Sequence, residues 1–139
     1  MLIQLTYASR ASGELGPMDV KDILAASQRN NARLGVTGAL CLNNGIFLQQ
    51  LEGDREAVNA LYHRILLDRR HREPAILDFG EIQSRRFTQW SMGLVSSVQE
   101  NRDLFLKYSP SASFDPYAMG TGSLRAFFEE VLGNVRWLG

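Results

Sequence analysis

The sequence predicts an α+β sandwich: one five-stranded sheet, two helices on one of its faces, and additional helices towards the C-terminus. Three observations carry this. Short segments of period two alternate with longer segments of period three to four, in the order β-α-β-β-α-β-β. Asn43, Asn44 and Gly45 join the two middle strands, and Asn-Gly tolerates the positive φ of a tight hairpin. Two β-α-β units with a hairpin between them describe a ferredoxin-like arrangement.

Each element has its own signal. Leu2 to Ala8 alternate, with Ile3, Leu5 and Tyr7 on one side and Leu2, Gln4 and Thr6 on the other. Gly13 to Pro17 reads as a loop, and Pro17 suits a first helical position. Asp19 follows in the first turn, where negative charge is favoured, and the helix runs to about Arg33. Val20, Ile23, Leu24, Ser27 and Asn31 share one of its faces. Strands are expected over Gly35 to Leu42 and Ile46 to Leu51. Gly53 and Asp54 open a second helix with Val58, Leu61, Tyr62, Ile65 and Leu66 on its apolar face, ending near Asp68. Ala75 to Ile82 and Ser91 to Ser96 are the fourth and fifth strands.

The last third has a different character. Asn101 to Tyr108 reads as helix, and Ser109 to Gly122, rich in Ser, Pro and Gly, as a connector. Ser123 is the expected cap of a final helix whose stripe is Leu124, Phe127, Phe128, Val131, Leu132 and Val135. That stripe either covers the open face of the sheet or binds a partner. The organisation expected is a domain over residues 1–97 and a helical extension over 98–139.

Composition excludes several classes. A chain of 139 residues is the size of one domain. It buries enough surface to need neither metal nor disulfide. Fifteen Lys and Arg balance fifteen Asp and Glu, which argues against nucleic-acid binding, where affinity rests on excess positive charge. The lone Cys41 excludes a Cys-rich metal site, and no metal is expected. No targeting segment is visible, and no apolar stretch approaches the roughly 20 residues of a membrane helix. The expectation is a cytoplasmic protein that does not meet a membrane.

The usual catalytic patterns are missing. There is no G-x-G-x-x-G, no P-loop and no nucleophile elbow. His63 and His71 lie on or just after the second helix without a matched nucleophile, and Cys41 sits within an apolar strand. What stands out is polar residues on apolar faces. Ser27 and Asn31 continue the stripe begun by Ile23; Gln49 shares a face with Phe47 and Leu51; Tyr7 shares one with Ile3 and Leu5. Each has an ordinary explanation alone: a packing tyrosine, an edge glutamine, a helix-end asparagine, a serine bonded back to its helix. Together they line the gap between sheet and helices, where small-molecule pockets form. Left unpartnered, each costs roughly 1–3 kcal/mol against a total stability of roughly 5–15 kcal/mol. They must bond to one another, to water or to a ligand. Arg64 and Asp68, at i and i+4 on the second helix, are either a solvated pair or the rim of this pocket. Arg69, Arg70 and Arg72 form a basic run that is either a charged helix end or a contact for phosphate.

Four segments in this order and spacing resemble the BLUF domains, bacterial blue-light sensors that use FAD. They are Leu5-Thr6-Tyr7-Ala8-Ser9; Asn31 followed by Thr37-Gly38; Phe47 to Gly53; and Phe87-Thr88-Gln89-Trp90-Ser91-Met92. The resemblance runs to about residue 97. With no effector domain after it, the chain reads as a short, stand-alone member. The resemblance implies that Tyr7 donates an electron and a proton to the excited flavin. It implies that Gln49 is the switch between Tyr7 and the ring, and that Trp90 and Met92, on one face of the fifth strand, sense its state. Asn31 then holds the polar edge of the ring, with Ser27 nearby, and Arg64, Asp68 and His71 contact the cofactor. FAD is the implied cofactor, although these residues mostly concern the ring and also suit FMN or riboflavin.

The function implied is a blue-light photoreceptor, not an enzyme. It signals through the fifth strand and Met92 to the C-terminal helices and an unidentified partner protein. Apolar residues on the last helices suggest a homo-oligomer. Two other readings compete. A flavin-dependent oxidoreductase would turn over a nicotinamide, for which no motif is present. A ligand-free ferredoxin-like interaction module would fill the polar cluster with water.

Overall fold

The computed structural model describes residues 1–88, 92–95, 101–134 and 137–138. The elements are β1 (Leu2–Ala11), α1 (Pro17–Leu34), β2 (Thr37–Asn43), β3 (Ile46–Asp54), α2 (Arg55–Leu66), β4 (His71–Glu81), β5 (Gly93–Val95), α3 (Arg102–Lys107), α4 (Thr121–Asn134) and β6 (Trp137–Leu138). They form one sheet in the order β4-β1-β3-β2-β5-β6. The β2–β5 pair is parallel and the others are antiparallel. The predicted ferredoxin-like order is therefore present, with β1 and β3 at its centre. The sixth strand, two residues long, is too short for periodicity to announce. Ser91 and Ser96, the expected ends of the fifth strand, lie outside the described residues.

Local chemistry sets the boundaries. Pro17 opens α1, and the Asp19 carboxylate accepts from the Gly16 N–H at 2.9 Å. The helix stops at Gly35, whose φ of 69° is left-handed, and the Val36 N–H then closes on the Asn31 carbonyl at 2.9 Å. The β2–β3 turn has positive φ at both Asn44 (55°) and Gly45 (68°), the backbone of a primed hairpin turn. Asp54 caps α2 by accepting from the Glu56 N–H at 3.3 Å. Gly38 has a steric reason: a Cβ there would lie 2.1 Å from the Gln50 carbonyl oxygen.

Both faces of the sheet are buried. On one, Ile3, Leu5, Tyr7, Phe47 and Leu51 pack with Ile23 of α1 and Val58 and Leu61 of α2. On the other, Ala8, Cys41 and Leu48 pack with Phe105 of α3 and Leu124, Phe127, Phe128 and Val131 of α4. The apolar stripe of α4 thus covers the sheet. Phe127 sits within 5.2 to 6.1 Å, centroid to centroid, of Phe128, Phe105 and Phe114. No helix among the described residues is long and apolar enough to cross a membrane.

Several expectations need correction. The last helix begins at Thr121, and the Leu124 N–H bonds to the Gly120 carbonyl at 3.0 Å, so Ser123 lies inside the helix and does not cap it. Val135 lies outside the described residues. Helix α2 ends at Leu66, so Asp68 is in the following turn and is not an i, i+4 partner of Arg64 on the helix. Strand β4 starts at His71, ahead of the expected Ala75. Its first residues Arg72, Glu73 and Pro74 are exposed at the sheet edge and show no alternation for a pattern to detect.

Candidate functional site

The site is built on the two central strands. Tyr7 and Gln49 are directly paired residues of β1 and β3, and both side chains point towards α1 and α2. A cavity there is walled by Ile23, Leu40, Phe47, Leu61 and Ile65, and its polar lining includes Tyr7, Ser27, Asn31, Gln49, Arg64, Asp68 and His71. All seven residues that the sequence nominated for cofactor contact therefore border one space. The i, i+4 spacing of Ser27 and Asn31 aims both into it from α1, while Arg64 reaches it from α2.

The inner end of the cavity is a short hydrogen-bonded chain. The Tyr7 hydroxyl donates to Gln49 Oε1, and Gln49 Nε2 donates to Met92 Sδ at 3.3 Å. Tyr7, Gln49 and Met92 are 1%, 4% and 1% exposed, so water does not compete for these bonds. Burial pushes the Tyr7 phenol far above its usual pKa, and neighbouring Tyr62 and Asp68 add to the shift. Tyr7 is thus a neutral donor at any ordinary pH, and this sets Gln49 with its oxygen towards the phenol and its nitrogen towards the sulfur. The Tyr7 and Tyr62 rings lie 5.3 Å apart.

The outer end is charged. Arg70 grips Asp68 through Nε at 3.0 and 3.1 Å and Nη2 at 2.6 Å, and its backbone N–H adds a bond at 2.9 Å. The Arg70 guanidinium holds the Asp68 carboxyl below the usual carboxylate range. His71 shares a hydrogen bond between Nδ1 and Ser9 Oγ at 2.7 Å, and its ring lies 4.6 Å from that of Phe47. Burial lowers the His71 pKa, with Arg70 acting in the same sense and Asp68 opposing it, which favours a neutral imidazole at the cavity wall.

The donor set suits a flat heterocycle with one apolar and one polar edge. Aliphatic and aromatic walls face amides, a hydroxyl and a phenol, and cations stand at the charged end. A flavin has these features, so the residues present fit one. Sequence reasoning overlooked Asn30 and, as a specific lining residue, Arg70. Arg70 belonged to the basic run already noted, and the turn through Asp68 is what turns it inward. Trp90 lies outside the described residues. Met92, expected on the fifth strand, directly precedes it.

Comparison with known proteins gives the family and the fold. The family model "BLUF: Sensors of blue-light using FAD" matches residues 2–93. The photoactivated adenylate cyclase subunit beta of Euglena longa is 36% identical over 100 residues, 71% of this chain and 11% of that protein. The subunit alpha of Euglena gracilis is 34% identical over 99 residues, again 71% of this chain and 10% of that one. The chain thus spans about a tenth of these curated relatives. Among solved structures, BlsA in its ground state superposes with a TM-score of 0.86 at 30% identity, covering 96% of this chain and 89% of that one. BlrB in its dark state gives 0.80 at 33% identity, covering 94% and 95%. The family model that matches describes a sensor of blue light. A phenol and a carboxamide hydrogen-bonded at a cavity between sheet and helices, a ferredoxin-like sheet and a match across residues 2–93 lead to one conclusion: this chain belongs to the BLUF family of flavin-binding blue-light photoreceptors.

Proposed function

We infer that this chain senses blue light through Tyr7 and Gln49 and passes the change to a partner protein through its C-terminal helices. The observation that carries the reading is the buried Tyr7–Gln49–Met92 chain at the inner end of the cavity. A flavin, when bound, supplies the absorption of blue light and an excited state that accepts an electron. Tyr7 gives up an electron and its phenolic proton. Gln49 is suited to relay that proton because one amide offers both an acceptor and donors. When proton and electron return, Gln49 is left rotated or tautomerised, with a changed hydrogen bond to the ring. Met92 Sδ is a weak acceptor and resists that change little. Because Met92 adjoins β5, the change at Gln49 has a route into that strand and on to the C-terminal helices. Trp90 is assigned to the same sensing group.

Asn31 and Ser27 hold the polar edge of the ring, and His71, neutral and fixed by Ser9, orients its outer side. Arg64 has no ion pair among the described residues, which suits it to a cofactor phosphate; Asp68 sets Arg70 at the same rim. FAD is the proposed form. The related BlrP1 of Klebsiella pneumoniae is described with FMN, which stays the alternative to FAD within the proposal. Ile76 and Phe79, half-exposed on the edge strand β4, support self-association as part of the proposal, and a cytoplasmic setting completes it.

The test is an absorption spectrum before and after blue light. A yellow protein whose flavin bands shift to the red and return in the dark is expected. A colourless protein that takes up no flavin, or bands that do not move, overturns the reading.

A further inference from the structure

The face of the sheet opposite the cavity carries a second polar chain, and it starts one residue away from the first. Gln50 Nε2 donates to Thr6 Oγ1 at 3.1 Å and to Gln4 Oε1 at 3.3 Å. Thr6 Oγ1 donates to Gln4 Oε1 at 3.1 Å, and Gln4 Nε2 donates to Asp78 Oδ2 at 3.1 Å. Asp78 is then clasped by Arg125 of α4, with Nε to Oδ2 at 2.9 Å and Nη2 to Oδ1 at 3.1 Å. Gln50, Thr6, Gln4 and Asp78 are buried, at 4%, 1%, 8% and 8% exposure.

This chain has a direction. An ionised carboxylate only accepts, so Asp78 obliges Gln4 to turn its nitrogen outward and its oxygen inward. That oxygen takes the Thr6 hydroxyl proton, which leaves the Thr6 oxygen to accept from Gln50. Every donor therefore points towards Asp78, and Arg125 keeps Asp78 charged. Burial alone would raise the Asp78 pKa, but the bonds from Arg125 and Gln4 more than offset it and hold it below the usual carboxylate range. In a buried network with each partner assigned the bonds polarise one another, so a change at one member is felt along the chain.

Its placement matters most. Thr6–Gln50 and Tyr7–Gln49 are consecutive rungs of the β1–β3 ladder, with side chains on opposite faces. The β1–β4 register slips between Thr6 and Tyr7, so the sheet is irregular at that same point. Asp78 of β4 is itself the β1–β4 partner of Thr6, at the rung where that slip begins, so the two polar chains meet at one irregular point of the sheet.

We propose that the chain Gln50–Thr6–Gln4–Asp78–Arg125 couples the photoactive Tyr7–Gln49 rung to helix α4, so that light loosens the Asp78–Arg125 anchor and releases α4 from the sheet. The proposal rests on the light-sensing reading above and adds to it a route that bypasses β5. Asp78 and Arg125 are positioning residues for output, not part of the photochemistry.

The experiment is hydrogen exchange across residues 121–134 in the full chain with FAD bound, in darkness and under continuous blue light. It compares the native protein with Asp78→Asn and Arg125→Gln, and records the red shift on the same samples. In the native protein, light is expected to lower protection of α4 by roughly five-fold or more. In both variants the red shift should persist while the light–dark difference in α4 disappears. Arg125 is more than half exposed, so its replacement leaves the folded core in place should Asp78→Asn not fold. A normal red shift with α4 unresponsive in the native protein, or a full α4 response in Arg125→Gln, overturns the relay alone. Absence of the red shift in the native protein overturns both the relay and the reading beneath it.

Discussion

Tyr7 and Gln49 face each other across the two central strands, and the phenol donates its hydrogen bond to the amide oxygen. Strand pairing fixes the approach of their backbones, and burial removes water from the contact. Replacing Tyr7 with Phe keeps the ring packed on Tyr62 and removes only the hydroxyl. The variant is expected to bind flavin and to lose the productive photocycle, which transient absorption measures. Leaving Gln49 Oε1 without its donor should also cost about 1–3 kcal/mol of stability.

Gly38 faces the Gln50 carbonyl, where a Cβ would lie at 2.1 Å. Backbone has no rotamer with which to retreat. Gly38→Ala should therefore destabilise by about 1–3 kcal/mol or more, as overpacking does. Urea unfolding of the purified variant checks it, with a lower midpoint at an unchanged slope expected.

Phe127 is fully buried where α4 meets the sheet and three other phenylalanines. Phe127→Ala should cost about 3–5 kcal/mol. Because this cluster lies on the face away from the cavity, variant protein that remains folded should still bind flavin. Thermal unfolding followed by circular dichroism and by flavin release separates the two effects.

Acid should weaken the fold through Asp78. Its folded pKa lies below the unfolded value of about 3.9, so its contribution is fully present above about pH 5 and disappears as the pH falls through the folded pKa. The sign is that of a carboxylate favoured by its partners: stability rises with pH across that window. Asp78→Asn should flatten this part of the profile relative to the native chain, as measured by urea midpoints from pH 2 to 6.

Much of the architecture was legible because periodicity reports burial. The Asn44-Gly45 turn, the amphipathic α1 and α2, and the apolar α4 each announce themselves, and Tyr7, Ser27, Asn31 and Gln49 stand out as polar interruptions of apolar faces. What stayed hidden has one cause: local pattern does not show what lies above a face. Gln4 and Thr6 alternate with Ile3, Leu5 and Tyr7 and so look like a solvent side. They are nonetheless buried, on the face of the sheet that α4 packs against, and their bonds to Gln50 and Asp78 make that burial tolerable. Likewise the run around Arg70 and Arg72 looked like a helix end. It is a turn and the start of an exposed edge strand, recognisable only once β1 is there to pair with it.

The central claim is that Gln49 is the group whose rearrangement light produces. The light-minus-dark absorption difference of the native chain and of Gln49→Leu, each loaded with FAD, tests it most directly. The account predicts a reversible red shift in the native protein and none in Gln49→Leu, which still holds its yellow cofactor. A Gln49→Leu protein that shifts and recovers like the native one would contradict it.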